Sequence, residues 1–245
     1  MKHITDMAMR QNPVLSIVIP VFNKWNFTKA CLTDLFKLPK NHEIIVVDNG
    51  SIDVTQENLH DNEAIVYHRL PANQGFAVAC NEGYALASAP NVLFLNNDIR
   101  VRADHTTWTQ KLIEKCGNGL VGPTMGQLDK DLNFVQEANK VLDGKSYMSG
   151  WCLAASKDVW SKLEIPRNPL LIHDYTPPPQ IFSEEFGLAY FEDTDLSFRA
   201  RELQIPMQVV DIPVVHFGKQ TSQQLNTYQL YKRARQIFVN KWQKK

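Results

Sequence analysis

The chain has 245 residues, 44% of them hydrophobic, with 26 Lys and Arg balanced against 26 Asp and Glu. That length and composition suit one large α/β domain or two small ones, and the zero net charge excludes a global electrostatic attraction to nucleic acid or to an anionic membrane. The longest apolar stretch falls far short of the roughly 20 residues of a membrane span, and MKHITDMAMRQNP lacks the apolar core of a secretory signal, which points to the cytosol. Four cysteines, Cys31, Cys80, Cys116 and Cys152, have no CxxC spacing and read as reduced core residues.

VLSIVIPVFN (14 to 23) is a β-branched run ending in Pro and Asn, the pattern of a strand buried on both faces. WNFTKACLTDLFKLP follows with apolar residues at helical spacing and Asn26 or Thr28 as cap. HEIIVVDNGSID (42 to 53) is a second apolar strand that breaks into polar residues, which completes a parallel βαβ unit. The pattern repeats as helix VTQENLH, strand AIVYHRL, turn PANQG, helix FAVACNEGYALAS and strand NVLFLNN. Strands alternating with helices in this way predict a Rossmann-like, mostly parallel α/β sheet whose ligand lies at the carboxyl ends of the strands. Three of those ends, PVFN, VDNGS and LNND, are unusually polar.

After residue 101 the order loosens into helix HTTWTQKLIEKC, strand GLVGPTM and a less regular region from 126 to 149. GWCLAASKDVWSKL reads as a strand turning into a helix, and the segment from Ile165 to Gly187 holds five of the 13 prolines and includes a loop. FEDTDLSFRARELQ then reads as a helix, MQVVDIPVVHFG as strand, bend and strand, and the tail from 223 to 245 as an amphipathic basic helix. The expected division is an extension at 1 to 13, one domain over 14 to 222 split near residue 101 into a ligand-binding half and a second half, and the tail helix.

Two acidic stretches bear chemistry. Asp98 falls where a strand delivers its last residues to the ligand crevice, and a carboxylate there suits a hard divalent cation, with Asn96 and Asn97 supplying neutral oxygens and amide donors. Asn and Asp are also favoured at plain strand-to-turn junctions for their local backbone bonds. Glu192, Asp193 and Asp195 crowd a helix start, where the macrodipole tolerates negative charge and where Glu192 or Asp195 can simply pair with Arg199 along the helix. Their flanks, FGLAYF, are apolar and aromatic, so the carboxylates sit in a partly dry setting that suits a general base. His216 ends another strand and is a candidate further ligand beside Asp98.

Taken in order, SIVIPVFN, IIVVDNGSID, NQGFAVACNEG, VLFLNNDIRV, SGWCLAAS, YFEDTDLSFRARELQ and VVHFG resemble the family 2 glycosyltransferases, inverting enzymes of the GT-A fold that use nucleotide-diphosphate sugars. The resemblance implies that Pro20, Val21, Asn23 and Asp48 surround the base, with Asp48 accepting from a ring N–H, and that Asn49, Gly50 and Ser51 line the same turn. It implies that Asn73, Gly75, Phe76 and Asn81 approach the base, the ribose or the sugar. The LNND turn matches the DxD position, which departs from two acids because Asn96 stands first and Asp98 last. Asp98 and His216 would then hold Mg²⁺ or Mn²⁺ against the diphosphate. Asp193 would be the base, Glu192 would orient the acceptor, Asp195 would support the helix start, and Trp151 would line the acceptor side.

By the same resemblance the donor is a UDP-sugar, with a dTDP-sugar as the alternative. The acceptor would be a glycan or lipid-linked glycan of a bacterial surface polysaccharide, met in the cytoplasm or at the inner face of the membrane. The basic tail helix would either pack on the domain or lie on an anionic bilayer. A silent nucleotide- or glycan-binding module of the same fold is the alternative function, favoured by Asn96. A nucleotidyltransferase is disfavoured because PVFNKWNF offers one Lys and no Gly to cradle a triphosphate.

Overall fold

The structure, a computed structural model, describes residues 12–102, 106–142, 145–166, 179–218 and 227–243. The N-terminal extension, most of the proline-rich loop and the stretch that leads into the tail helix lie outside the described residues.

The first half forms as its hydrophobic pattern demands. Strands β1 (Leu15–Val21), β2 (His42–Asp48), β3 (Val66–Arg69) and β4 (Asn91–Leu95) alternate with helices α1 (Trp25–Leu35), α2 (Thr55–Leu59) and α3 (Phe76–Leu86). β1 pairs in parallel with both β2 and β4, and β2 with β3, so all four carboxyl ends point to one edge. Successive β1 side chains serve opposite faces. Val18 joins Ala77, Cys80, Phe94 and Trp160 on one side, while Ile17 and Ile19 join Cys31, Leu35, Trp108 and Leu112 on the other. All four cysteines are buried and unpaired.

The second half completes the sheet with strands of mixed direction. After β5 (Ile99–Val101) and α4 (Trp108–Cys116), the expected strand GLVGPTM divides at Pro123 into β6 (Leu120–Gly122) and β7 (Met125–Leu128). Proline has no N–H to give a ladder, which is a physical reason for the break. The irregular region from 126 to 149 is a small antiparallel sheet in which β7 lies between β8 (Phe134–Ala138) and β9 (Ser146–Met148). β10 (Cys152–Ser156) runs antiparallel to β4 and continues directly into α5 (Lys157–Lys162), capped by the Ser156 hydroxyl. α6 (Glu192–Glu202), β11 (Met207–Val209) and β12 (Val214–His216) follow. The main sheet therefore has seven strands in the order β11-β6-β10-β4-β1-β2-β3, and β12 pairs separately with β5.

The cap of α1 departs from expectation. Neither Asn26 nor Thr28 caps it; Lys24 stands before the helix at φ 59°, and the Trp25 N–H is met by Asp53 Oδ2 at 3.1 Å. The donor group is satisfied by a side chain from the neighbouring strand-end loop, which ties the two loops together.

The tail helix α7 (Thr227–Trp242) packs on the domain. Ala234 and Phe238 are fully buried in a third cluster with Leu128, Leu132, Phe186 and Phe191. Tyr231, Ile237 and Trp242 pack around them, so the apolar face that a bilayer would take is covered by the protein. Lys241 pairs with Asp195 at 2.9 Å, while Lys232 and Arg233 stay exposed. No helix among the described residues is long and apolar enough to cross a membrane.

Phe238→Ala removes the centre of this cluster and is expected to destabilise the protein by about 3–5 kcal/mol. Lys232→Ala, on the exposed face, is expected to stay within about 0.5 kcal/mol. Urea denaturation of both variants checks the difference.

Candidate active site

The carboxyl ends of β1, β2 and β4, the start of α6 and the small β7–β9 sheet enclose a cleft of about 860 Å³. Of the candidate site residues, Pro20, Val21, Asn49, Asn73, Phe76, Asn96, Asn97, Asp98, Trp151, Glu192, Asp193 and His216 all line it. Phe22 and the segment Leu188 to Phe191 line it as well.

Six of the predicted contact residues do not line the cleft, and each has a structural task instead. Asp48 is fully buried. Its Oδ1 accepts from the Ser51 N–H at 2.7 Å, and its Oδ2 from the Tyr67 hydroxyl at 2.7 Å and from Arg69. Its oxygens are thus engaged by donors of the protein itself. Asn23 Oδ1 accepts from the Ile52 N–H at 2.8 Å, and the Ser51 hydroxyl accepts from the Asn23 N–H at 2.8 Å, so both residues knit the first two strand ends together. Asn81 is buried under the sheet end, where its Oδ1 accepts from Ile181 and Phe182 N–H groups at 2.9 and 3.0 Å. Gly50, at φ 75°, would carry a Cβ 2.5 Å from the Ala72 backbone, and Gly75, at φ 99°, lies against the Gly187 carbonyl. Both glycines permit close turns.

Asn49 connects these turns to the cleft: its Oδ1 accepts from the Gln74 N–H at 2.9 Å and its amide donates to Asn73 Oδ1 at 3.0 Å. The LNND turn is held from three directions. The Asn96 N–H donates to the Trp151 carbonyl at 2.8 Å, the Asn97 amide donates to Thr28 Oγ1 at 2.9 Å, and the Phe217 N–H donates to the Asp98 carbonyl at 2.9 Å.

Asp98 and His216 meet there, with Oδ1 and Nε2 3.0 Å apart. Asp98 Oδ1 is buried and accepts no hydrogen bond from the described residues. The indole of Trp151 stacks on the His216 ring at 4.7 Å and 12°, and its Nε1 is anchored by Thr124 Oγ1 at 2.9 Å. Among the described residues no group of three or more His, Cys, Asp or Glu side chains is arranged to hold a metal ion.

The opposite wall is the first turn of α6. It is entered through Tyr190 and Phe191 at φ 79° and 71°, unusual values for bulky residues. Asp193 Oδ2 accepts from the Gly150 N–H at 2.9 Å, and its Oδ1 from the Thr194 N–H at 2.7 Å. Gly150 is needed for this approach, because a Cβ there would stand 3.0 Å from that of Asp193. Burial pushes the Asp193 carboxyl above its ordinary value, partly offset by those donors. Glu192 is 7% exposed, and its Oε2 has no hydrogen-bond partner among the described residues. Burial, reinforced by the charge of Asp193, raises its pKa to about 8. The expectation of a partly dry setting for these acids agrees with that burial.

Asp195 turns the other way, into the protein. Arg199 Nε donates to it at 3.0 Å and Trp242 Nε1 at 2.8 Å, so the pairing with Arg199 is the one realised and α7 braces the first turn of α6. Sequence reasoning missed Glu137, Tyr147, Tyr190, Tyr228 and Tyr231, which also line the cleft. Glu137, Tyr147, Tyr228 and Tyr231 lie on short strands and a helix face that carry no motif, while Tyr190 opens the stretch YFEDTD in the bend before α6.

A mixed sheet with this cleft at its strand ends is the GT-A architecture. The mannosyltransferase PcManGT from Pyrobaculum calidifontis, solved in complex with GDP-Man and Mn²⁺, has the same fold, with a TM-score of 0.56 over 82% of this chain and 55% of that one at 12% identity. The sequence model described as Glycosyl transferase family 2 matches residues 16–179, and the chain belongs to that family. EpsH of Bacillus subtilis (strain 168), named as a glycosyltransferase, is 24% identical over 89% of this chain and 64% of its own length. The uncharacterized glycosyltransferase RT0329 of Rickettsia typhi is 28% identical over 95% of this chain and 74% of its own length. The chain thus spans about two thirds to three quarters of these two curated relatives.

Because Glu192 holds its proton to about pH 8 when folded and releases it near 4.5 when unfolded, the folded state binds the extra proton between those values. Stability should fall as pH rises through that window. Glu192→Gln should flatten this decline and leave the variant more stable than the parent near pH 8, by urea denaturation at a series of pH values.

Proposed function

We propose that the chain is an inverting glycosyltransferase that moves a sugar from a nucleoside-diphosphate donor to a hydroxyl of a glycan. The carrying observation is the single cleft that places the Asn96 to Asp98 turn with His216 on one wall and Glu192 with Asp193 on the other. Family membership and the curated relatives support the reading. The donor half of the cleft is Pro20, Val21, Asn49, Asn73 and Phe76, which present backbone, amide and aromatic surface suited to a nucleoside. UDP-sugars head the candidate donors, with dTDP-sugars next.

The charges favour a cation. Among the described residues no Lys or Arg lines the cleft, so a diphosphate would face the carboxylates of Asp98 and Asp193 without compensation. Asp98 Oδ1, buried and without a hydrogen bond, and the adjacent His216 Nε2 fit Mn²⁺ or Mg²⁺, with diphosphate oxygens and water as further ligands. When bound, the cation supplies the positive charge that stabilises the leaving diphosphate.

The reaction is one in-line displacement. The acceptor oxygen forms a bond to the anomeric carbon while the bond from that carbon to the diphosphate oxygen breaks, and the leaving nucleoside diphosphate keeps the electron pair. Asp193 takes the acceptor proton. Its carboxylate is fixed by backbone N–H groups, and its raised pKa makes it a better base than an exposed aspartate. Glu192, uncharged below pH 8, orients the acceptor hydroxyl through a hydrogen bond. Trp151 keeps the His216 ring in place by stacking. The glycan so extended is a bacterial surface polysaccharide, built at the cytoplasmic side of the membrane.

A silent nucleotide-binding module is the second reading. It is favoured by Asn96, whose amide nitrogen lies 3.3 Å from His216 Nε2, where a carboxylate would supply a further charged ligand for a cation.

Calorimetric titration with UDP, dTDP, GDP and CDP, with Mn²⁺ and with chelator, tests donor and cation together. Metal-dependent binding of one of the four is expected, and Asp98→Ala should abolish the metal dependence. Once the donor is known, Asp193→Asn should lower sugar transfer on the order of a hundredfold or more without a comparable loss of nucleotide binding. Near-normal turnover would remove Asp193 from its role, and nucleotide binding without transfer in the parent protein would favour the silent module.

A further inference from the structure

The half of the cleft beyond the acidic turn of α6 carries its own recognition chemistry. Its walls come from four places: Phe134 and Glu137 on β8, Tyr147 on β9, Tyr190 at the entry to α6, and Tyr228 and Tyr231 on α7. Phe134 is 52% exposed and Tyr228 70% exposed, so aromatic surface stands open at the mouth. Tyr190 and Tyr231 brace each other edge to face at 5.7 Å. Aromatic rings with an electron-rich face take up the polarised C–H groups of a sugar ring, and rigid tyrosines do so at little conformational cost.

Glu137 is the polar centre of this half. Its Oε1 accepts from Ser149 Oγ at 2.5 Å and from Thr124 Oγ1 at 2.7 Å, and the Trp151 Nε1 stands 3.3 Å away. These donors fix the carboxylate, while no hydrogen bond to its Oε2 is made by the described residues. Glu192 adds a second carboxyl oxygen that is buried and unpartnered in the same cleft. The Glu137 carboxylate accepts from a hydroxyl, and the protonated Glu192 donates to one or accepts from one. An acidic ligand would meet the exposed Glu137 and the buried Asp193 with no Lys or Arg among the described lining residues, so like charge disfavours it, most of all near Asp193.

We propose that this half is an acceptor subsite for an uncharged sugar, in which Glu137 receives a ring hydroxyl, the aromatic walls take the ring's apolar faces, and uronic acids and phosphorylated sugars are rejected. Glu137 is thereby a specificity-determining residue. The inference rests on the glycosyltransferase reading and names the charge class of its acceptor.

Saturation-transfer NMR on the whole protein with methyl β-D-glucoside, methyl β-D-galactoside, methyl N-acetyl-β-D-glucosaminide and methyl β-D-glucuronide tests it, beside the four-nucleotide calorimetry on the same samples. At least one neutral glycoside should bind and the glucuronide should not. Glu137→Gln should weaken the neutral glycoside about tenfold, the loss of one charge-assisted hydrogen bond. Tyr228→Ala, at an exposed position that folding does not need, should weaken it as well. Equal or stronger binding of the glucuronide, no binding of any neutral glycoside, or indifference of neutral binding to both substitutions would each overturn the proposal. Failure of every nucleotide to bind, while a neutral glycoside binds and depends on Glu137, would leave the sugar subsite standing and remove the donor reading.

Discussion

Strand β4 runs in the middle of the sheet, parallel to β1 and antiparallel to β10, and whatever follows its last apolar residue is carried to the point where both halves of the molecule meet. The next three residues are bonded outward to three different segments: Asn96 to Trp151 at the entry of β10, Asn97 to Thr28 of α1, and Asp98 to Phe217 beyond β12. Loss of register in β4 would move Asp98 away from His216 and undo the stacking of His216 on Trp151. The buried pairing of one central strand therefore sets the geometry of the wall that carries Asp98 and His216.

Electrostatics organise the remainder of the cleft. Burial disfavours the charged form of a carboxyl, and two neighbouring carboxyls raise each other further. Glu192 and Asp193 differ in how they meet this cost. Asp193 is served by the Gly150 and Thr194 N–H groups, while Glu192 has no such donor on Oε2 and keeps its proton to about pH 8. Adjacent residues of one helical turn thus acquire different protonation habits, which is the division that the proposed reaction uses.

The third acid of that turn explains the tail helix. Asp195 is fully buried and depends on Arg199, Lys241 and Trp242 for its hydrogen bonds. Two of the three partners come from α7, whose Phe238 and Ala234 fill the cluster against Phe186 and Phe191. Phe191 immediately precedes Glu192, so the packing of α7 and the placement of the acidic pair are one problem. A charge buried with specific partners is costly to leave unpaired, and that fixes α7 against the domain more firmly than its apolar face alone.

The apolar runs, their alternation with helical spacing and their polar ends were enough to establish the parallel half-sheet, the edge at which the cleft opens, and the Asp98, His216, Glu192 and Asp193 set within it. These features are local: strand burial and helix periodicity are written in consecutive residues. What the sequence did not disclose is direction and partnership. VDNGS looked like a ligand turn throughout, yet Asp48 faces Tyr67 and Arg69, because those side chains arrive from a strand paired at a register that no local pattern specifies. The β7–β9 sheet was missed because its strands are short, partly exposed and without a clear alternation, so their stability comes from pairing rather than from propensity. Local pattern thus determined the frame and the acidic residues at its edge. The tertiary structure alone decided which polar side chains face the cleft and which are spent within the fold, since a buried polar group must find its partner wherever packing brings one.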